Sequence, residues 1–157
     1  MWPFRKPSTD WIEPFGDALE AFGQSLAPGV VWSLKRERNW IEFDIEAPTS
    51  AHRSLSINVG PSEIEYALGA IWTEGLETTP DVRDRLLAAC DALRAGRVRE
   101  VRDRETGLLY HVYRFNSRGL REFAVDSQYA FRHALTRWFK HRVRHVSIHR
   151  LPPLEAA

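Results

Sequence analysis

The feature that most constrains the fold is a regular alternation of apolar and polar side chains between residues 29 and 68. Successive side chains of a β-strand point to opposite faces, so this pattern indicates extended segments with one buried face. Turn-forming residues separate the segments at three places: Arg38-Asn39, the stretch after Pro48, and Gly60-Pro61-Ser62. The sequence therefore predicts four antiparallel strands, and we expect Gly69 to bend or bulge the fourth before Ile71 and Trp72.

A helical period replaces this alternation on both sides of the strand region. Apolar residues at three- and four-residue steps from Trp11 to Leu26 predict a first helix. That helix begins either at a cap on Asp10 or later, with Pro14 in its first turn. Thr79-Pro80-Asp81 is typical of a helix entrance, and Gly96 is placed to end this second helix.

The last third of the chain predicts three more strands and a third helix. The strands fall at residues 97–104, 108–115 and 120–125, and Ser127 is placed to cap the helix. Residues 143–149 fit two interpretations, because their alternation predicts a short last strand while the preceding helix could also continue through them.

These elements together predict an α+β fold in one domain spanning residues 1–157. Strand runs separated by single helices favour a mainly antiparallel sheet of about six to eight strands, with two or three helices packed on one face. A chain of 157 residues can bury a sufficient core without disulfides. The single cysteine, Cys90, lies in a helical pattern and is predicted to be a core residue.

The sequence carries none of the motifs that support common catalytic chemistry. It has no glycine-rich phosphate loop, no Gly-x-Ser-x-Gly elbow and no His-Glu-x-x-His helix. We therefore predict a non-enzymatic protein with no catalytic residues and no cofactor. No apolar run approaches the length of about 20 residues needed to span a membrane, and no secretory pattern is present. The single cysteine agrees with a cytoplasmic location.

Charge is divided unevenly along the chain. Residues 1–95 carry nine basic and fifteen acidic side chains, whereas residues 96–157 carry thirteen basic and six acidic ones. Either the acidic part and the basic part attract each other within the fold, or the charged residues form a binding surface. The stretch from Ser127 to Leu154 contains no acid and mixes arginines with aromatic residues. An alternative function is therefore a nucleic-acid-binding module that uses this basic C-terminal segment.

Four of the six histidines lie in the same segment: His133, His141, His145 and His149. Three of these share a face if the segment is helical, and two point together if it is a strand. No carboxylate lies nearby to complete or orient a zinc site, so we predict no metal ligands, and a metalloprotein stands as the third hypothesis.

A different surface is the main candidate for binding. If the apolar set of residues 41–68 faces the helices, the opposite face carries acids and a tryptophan, which favour association with a basic protein. The predicted partner-binding residues are Trp40, Glu42, Asp44, Glu46, Glu63, Glu65, Trp72 and Glu74.

The order of segments after residue 54 carries a resemblance to a known family. A strand ends at Asn58-Val59-Gly60, a strand Glu63 to Gly69 follows, then Ile71-Trp72-Thr73-Glu74, and a helix closes at Leu93 to Arg97. This run resembles small bacterial immunity-type proteins of polymorphic and contact-dependent toxin systems. The chain departs from them in having Trp72 and Glu74 where histidines are common. The resemblance implies a protein partner, a cognate toxin, whose basic active site the chain occludes.

Overall fold

A computed structural model of the chain describes residues 8–104, 107, 109–116, 119–125 and 146–155. Within these residues the chain forms two helices, α1 (Ile12–Gln24) and α2 (Pro80–Arg94). The same residues form nine strands: β1 (Trp32–Glu37), β2 (Trp40–Ile45), β3 (Leu55–Val59), β4 (Ile64–Leu68), β5 (Ile71–Leu76), β6 (Val98–Asp103), β7 (Leu109–Asn116), β8 (Gly119–Val125) and β9 (Val146–Arg150).

The strands form two antiparallel sheets. A five-stranded sheet has the order β1-β2-β3-β4-β5, and a four-stranded sheet has the order β8-β7-β6-β9. The predicted α+β class and its antiparallel pairing are confirmed. The sequence pattern predicted about six to eight strands in one sheet, whereas the described strands number nine and divide between two. The division falls at α2, which follows β5 and separates the first five strands from the rest.

The inner side of the five-stranded sheet supplies most of the core. Nine side chains of β2, β3 and β4 point inward, and each is at most 1% exposed: Ile41, Phe43, Ile45, Leu55, Ile57, Val59, Ile64, Tyr66 and Leu68. The same core contains apolar residues of both helices, and it extends to Val98 of β6 and Tyr113 of β7. Both sheets therefore share one apolar core.

Helix α1 lies on the inner side of β1 and β2. Two helix glycines allow the close approach, because a Cβ atom at Gly23 would lie 2.5 Å from the Trp32 ring. A Cβ atom at Gly16 would lie 2.8 Å from Cδ1 of Ile41. The helix begins at Ile12 with Pro14 in its first turn, so Asp10 is not the cap.

Gly69 ends β4 instead of bending it. Leu68 pairs with Ile71, so Gly69 and Ala70 form a two-residue turn, and β5 returns antiparallel to β4. Gly69 has φ +59, a conformation that costs glycine little and other residues more. The expected bend within one strand is therefore a hairpin, and it adds β5 to the sheet.

Helix α2 has the ends that its sequence predicts. The Thr79 hydroxyl accepts a hydrogen bond from the Val82 amide at 3.4 Å, and Pro80 is the first helical residue. Gly96, with φ +64, follows the C-terminal end. Among the described residues, no helix has both the length and the apolar character required to cross a membrane.

The four-stranded sheet contains the three strands predicted for the last third of the chain, β6, β7 and β8. Residues 146–150 form β9, which pairs with β6, so the strand interpretation is confirmed for this part of residues 143–149. The predicted third helix beginning at Ser127 lies outside the described residues.

The two sheets meet through a pair of buried tyrosines. The hydroxyl oxygens of Tyr66 on β4 and Tyr113 on β7 lie 2.7 Å apart, and both side chains are fully buried. Burial raises the pKa of both phenols, so each hydroxyl keeps its proton. This buried hydrogen bond therefore joins β4 of the first sheet to β7 of the second.

We expect Tyr66→Phe and Tyr113→Phe each to lower the free energy of unfolding by about 1–2 kcal/mol, because each removes the buried hydrogen bond between the two hydroxyls. The double variant should lose less than the sum of the two single losses. Urea denaturation of the four proteins measures this coupling. Strictly additive losses would show that the two hydroxyls do not interact.

Candidate functional site

The side of the five-stranded sheet that points away from the core is the candidate site. We call it the outer face, and it consists of Ser33, Lys35, Glu37, Trp40, Glu42, Asp44, Ser56, Asn58, Glu65, Ala67 and Trp72. The strand register arranges these residues in rows across the sheet. One row runs Ser33, Asp44, Ser56, Ala67, Trp72, and the next runs Lys35, Glu42, Asn58, Glu65.

Two tryptophans occupy opposite corners of the outer face. Trp40 is 40% exposed and Trp72 is 44% exposed, which is unusual for such large apolar side chains. Three strand spacings and four residues of strand separate them, so they lie roughly 20 Å apart. Gly60 lies beside Trp40, since a Cβ atom there would be 3.3 Å from the Trp40 ring. The tryptophans can thus contact a partner at two separate points.

Carboxylates lie between the two tryptophans. Glu42 is paired with Lys35 at 3.1 Å, and Glu65 accepts a hydrogen bond from the Asn58 amide at 3.2 Å. Asp44 has no ion pair within the described part of the chain. The outer face therefore carries four carboxylates against one ammonium group and attracts a basic surface.

Five of the eight predicted partner-binding residues share the outer face: Trp40, Glu42, Asp44, Glu65 and Trp72. Glu46 follows β2 and Glu63 precedes β4, and both are exposed beyond the strand ends. Glu74 belongs to β5, but its side chain lies outside the described part. Sequence reasoning missed Lys35 and Glu37, although alternation in β1 places them beside Glu42 and Trp40.

Helix α1 contacts β1 and β2 on the side of the core, and α2 contacts β7 and α1. Among the described residues, the outer-face side chains belong to neither apolar cluster.

A second group of polar residues lies between the two sheets. Arg53, just before β3, donates two hydrogen bonds to the Glu100 carboxylate, at 2.9 and 2.8 Å. Nε2 of His111 lies 3.3 Å from the same carboxylate. Hydrogen bonds from His111 and Arg53 hold the pKa of Glu100 well below its usual range, so the carboxylate is the acceptor and Nε2 carries the hydrogen.

This group clamps the β2–β3 connection onto the four-stranded sheet. Arg53 also donates to the backbone carbonyls of Ser50 and His52, and His149 Nε2 lies 3.0 Å from the Ala51 carbonyl oxygen. His111 is fully buried, and its Nδ1 has no hydrogen-bond partner among the described residues. Both carboxylate oxygens of Glu100 are occupied by Arg53, so the geometry is that of a structural ion pair.

The other sequence candidates for chemistry are only partly described. Cys90 is 1% exposed, and burial raises the pKa of its thiol to about 12, which keeps it protonated as a core residue. His133, His141 and His145 lie outside the described residues, as does the basic segment up to residue 145. The described residues contain no cluster of three or more metal-ligating side chains.

Comparisons with protein-family models, with curated proteins and with solved structures find no match for this chain. The candidate site is therefore defined by its own geometry.

Acid pH should destabilise the protein through Glu100. Because the folded-state pKa lies below the ordinary value of 4.5, the unfolded chain binds more protons at low pH. The Glu100 contribution is therefore complete above pH of about 5 and is lost progressively as the pH falls below this. Glu100→Gln should unfold more easily at neutral pH, by about 2 kcal/mol, and should lose less stability on acidification.

Urea denaturation at several pH values from neutral to acid measures both effects. Glu63→Gln is the matched control, since Glu63 is exposed and has no ion pair in the described part. If the free energy of unfolding fell with pH by the same amount in the wild-type protein and in Glu100→Gln, the proposed role of the Arg53–Glu100–His111 contacts would be contradicted.

Proposed function

We propose that this chain is a non-enzymatic, protein-binding protein of the cytoplasm that docks its outer face on a basic surface of a partner. The observation that supports this proposal is the outer face, which has two exposed tryptophans and more carboxylates than basic groups. Together with the sequence resemblance to immunity-type proteins, it favours an inhibitor that occludes the basic active site of a toxin.

The two kinds of side chain have different roles in this proposal. Large aromatic anchors supply most of the binding free energy when a partner buries them, so Trp40 and Trp72 determine the dissociation rate. Exposed carboxylates contribute through long-range attraction, so Asp44 and its neighbours determine the association rate and its dependence on salt. Inhibition requires no reaction, because the bound sheet blocks access to the partner's site.

The contacts among outer-face residues also support separate roles for the tryptophans and the carboxylates. Lys35 neutralises Glu42, and the Asn58 amide orients Glu65, which leaves Asp44 as the central carboxylate without an ion pair in the described chain. Ser33 and Ser56 flank Asp44 on neighbouring strands. Small polar neighbours leave this carboxylate accessible to a basic side chain of the partner.

The partner is to be found by cross-linking in the source cell, and the protein encoded by the neighbouring reading frame is the first to be purified and measured. Trp40→Ala should weaken its binding roughly thirtyfold, since loss of a buried aromatic anchor costs about 2 kcal/mol. Ile148→Ala is the control, because Ile148 is 51% exposed on the four-stranded sheet. Equal affinities for the two variants would contradict the proposal.

Charge reversal tests whether the carboxylates of the outer face speed association with the partner. The Asp44→Lys/Glu63→Lys variant breaks no ion pair in the described chain and should reduce the association rate about tenfold at low salt. The difference from the wild-type protein should shrink as salt is added.

Asp84→Lys/Glu155→Lys, which changes two exposed acids outside the five-stranded sheet, is the matched control for stopped-flow or surface-plasmon measurements. An association rate unchanged by Asp44→Lys/Glu63→Lys would rule out docking through the outer face.

A further inference from the structure

The four-stranded sheet carries a group of arginines on the side that points away from the shared core. Arg99 alternates with Val98, and Arg114 alternates with Tyr113, and both of these neighbours are 0% exposed in the core. Arg150 on β9 lies directly opposite Arg99, so its side chain points to the same side. Arg99, Arg114 and Arg150 are all exposed, and we call them the arginine cluster.

The strand register brings these three arginines close together. Side chains directly opposite on antiparallel strands have Cβ atoms about 5 Å apart, which is the arrangement of Arg99 and Arg150. The Arg114 amide donates to the Arg97 carbonyl at 3.0 Å, so Arg114 is the diagonal neighbour of Arg99, at roughly 7–8 Å. Like charges directly opposite each other destabilise a sheet, so sheet stability does not explain this pair. A bound anion would relieve the repulsion.

The arginine cluster has no ion pair within the described part of the chain. Arg150 donates from Nε to the Gly96 carbonyl at 3.2 Å, which leaves its two terminal nitrogens for a ligand. Arg99 and Arg114 use their side chains in no hydrogen bond or ion pair there. The register places one acid in the same row, Glu122 on β8, whose side chain lies outside the described part. Three guanidinium groups therefore face at most one carboxylate in this row.

Few other acids of the second part are available to neutralise the arginine cluster. Among the described residues, Glu100 and Glu155 form ion pairs with bases of the first part, Arg53 and Arg94. From Ser127 to Leu154 the sequence contains no acid. The positive charge of this side of the sheet is thus largely uncompensated, which favours an anionic ligand.

An exposed apolar side chain lies next to the arginine cluster. Ile148 is 51% exposed and stands two positions before Arg150, on the same side of β9. It lies opposite Val101, which belongs to the second apolar cluster and is 3% exposed. A ligand that covers the arginines therefore also reaches an apolar contact.

We propose that the arginine cluster binds the phosphate backbone of a single-stranded nucleic acid, as a second binding surface that is independent of the outer face. Guanidinium groups bind phosphate oxygens through paired hydrogen bonds, and a phosphodiester chain presents a line of negative charges to arginines on three neighbouring strands. Ile148 offers an apolar contact to an unpaired base, whereas the bases of a duplex are stacked on each other.

The test measures the fluorescence anisotropy of a labelled oligouridylate of about twelve nucleotides, titrated with the full chain at several salt concentrations. The logarithm of the affinity should fall linearly with the logarithm of the salt concentration. Arg99→Gln/Arg114→Gln should weaken binding about tenfold at low salt and reduce this slope by about 1.4, since each phosphate contact of a single strand contributes about 0.7. Urea denaturation should show that this variant is as stable as the wild-type protein.

Arg102→Gln/Arg104→Gln is the matched control, because it removes the same charge from exposed positions of the same segment. Arg102 alternates with Val101 and so points to the other side of β6, and Arg104 follows the end of this strand. The control should keep the salt slope of the wild-type protein. An equal loss of slope in the two double variants would show binding through net charge alone and would overturn the proposal.

Three other results would also overturn it. The first is an absence of oligouridylate binding at low salt. The second is equal affinity for an oligoglutamate of the same length, which would assign the arginine cluster to an acidic peptide. The third is self-association of the chain in place of oligouridylate binding, abolished by Arg99→Gln/Arg114→Gln, which would assign the cluster to the acidic outer face of a second copy.

Discussion

Burial of one side of the five-stranded sheet is the constraint on which the rest of the structure depends. Its nine inward side chains on β2, β3 and β4 are at most 1% exposed. Burial of each of these side chains contributes roughly 1.5–3 kcal/mol, so no other group of side chains constrains the fold as strongly. A one-residue slip would bring Glu42 and Asp44 into the core, so the register is fixed. The acidic outer face is thus a direct consequence of how the core forms.

The polar contacts between the sheets have a different role. The Tyr66–Tyr113 hydrogen bond and the Arg53–Glu100 pair each join residues 47 positions apart in the chain. Such buried or half-buried groups contribute little net free energy when they are satisfied, but an arrangement that separates the two sheets breaks both contacts. They therefore select one relative position of the two sheets, while the shared apolar core supplies most of the stability.

Local patterns predicted the elements, but pairing between distant segments could not be predicted from them. Alternation identified the strands, and Thr79-Pro80 identified the start of α2, because each depends on neighbouring residues. The role of Gly69 was predicted wrongly, because a bulge and a two-residue turn both leave alternating apolar and polar residues before and after the glycine. The contact of Arg53 with Glu100 has no local signal, and the neighbours of His111 in its strand, Tyr110 and Val112, give no sign of a polar contact.

The acidic first part and the basic second part of the chain form few ion pairs with each other among the described residues. If the acidic first part simply attracted the basic second part, ion pairs between first-part acids and second-part bases should be frequent. Among the described residues, Arg97 with Asp91 is the one such pair, at 2.8 Å, and these two residues are only six positions apart. The other pairs across the division, Arg53 with Glu100 and Arg94 with Glu155, join first-part bases to second-part acids. Among the described residues, therefore, no acid of the outer face forms an ion pair with a base of the second part, and the base that Glu42 contacts, Lys35, belongs to the first part.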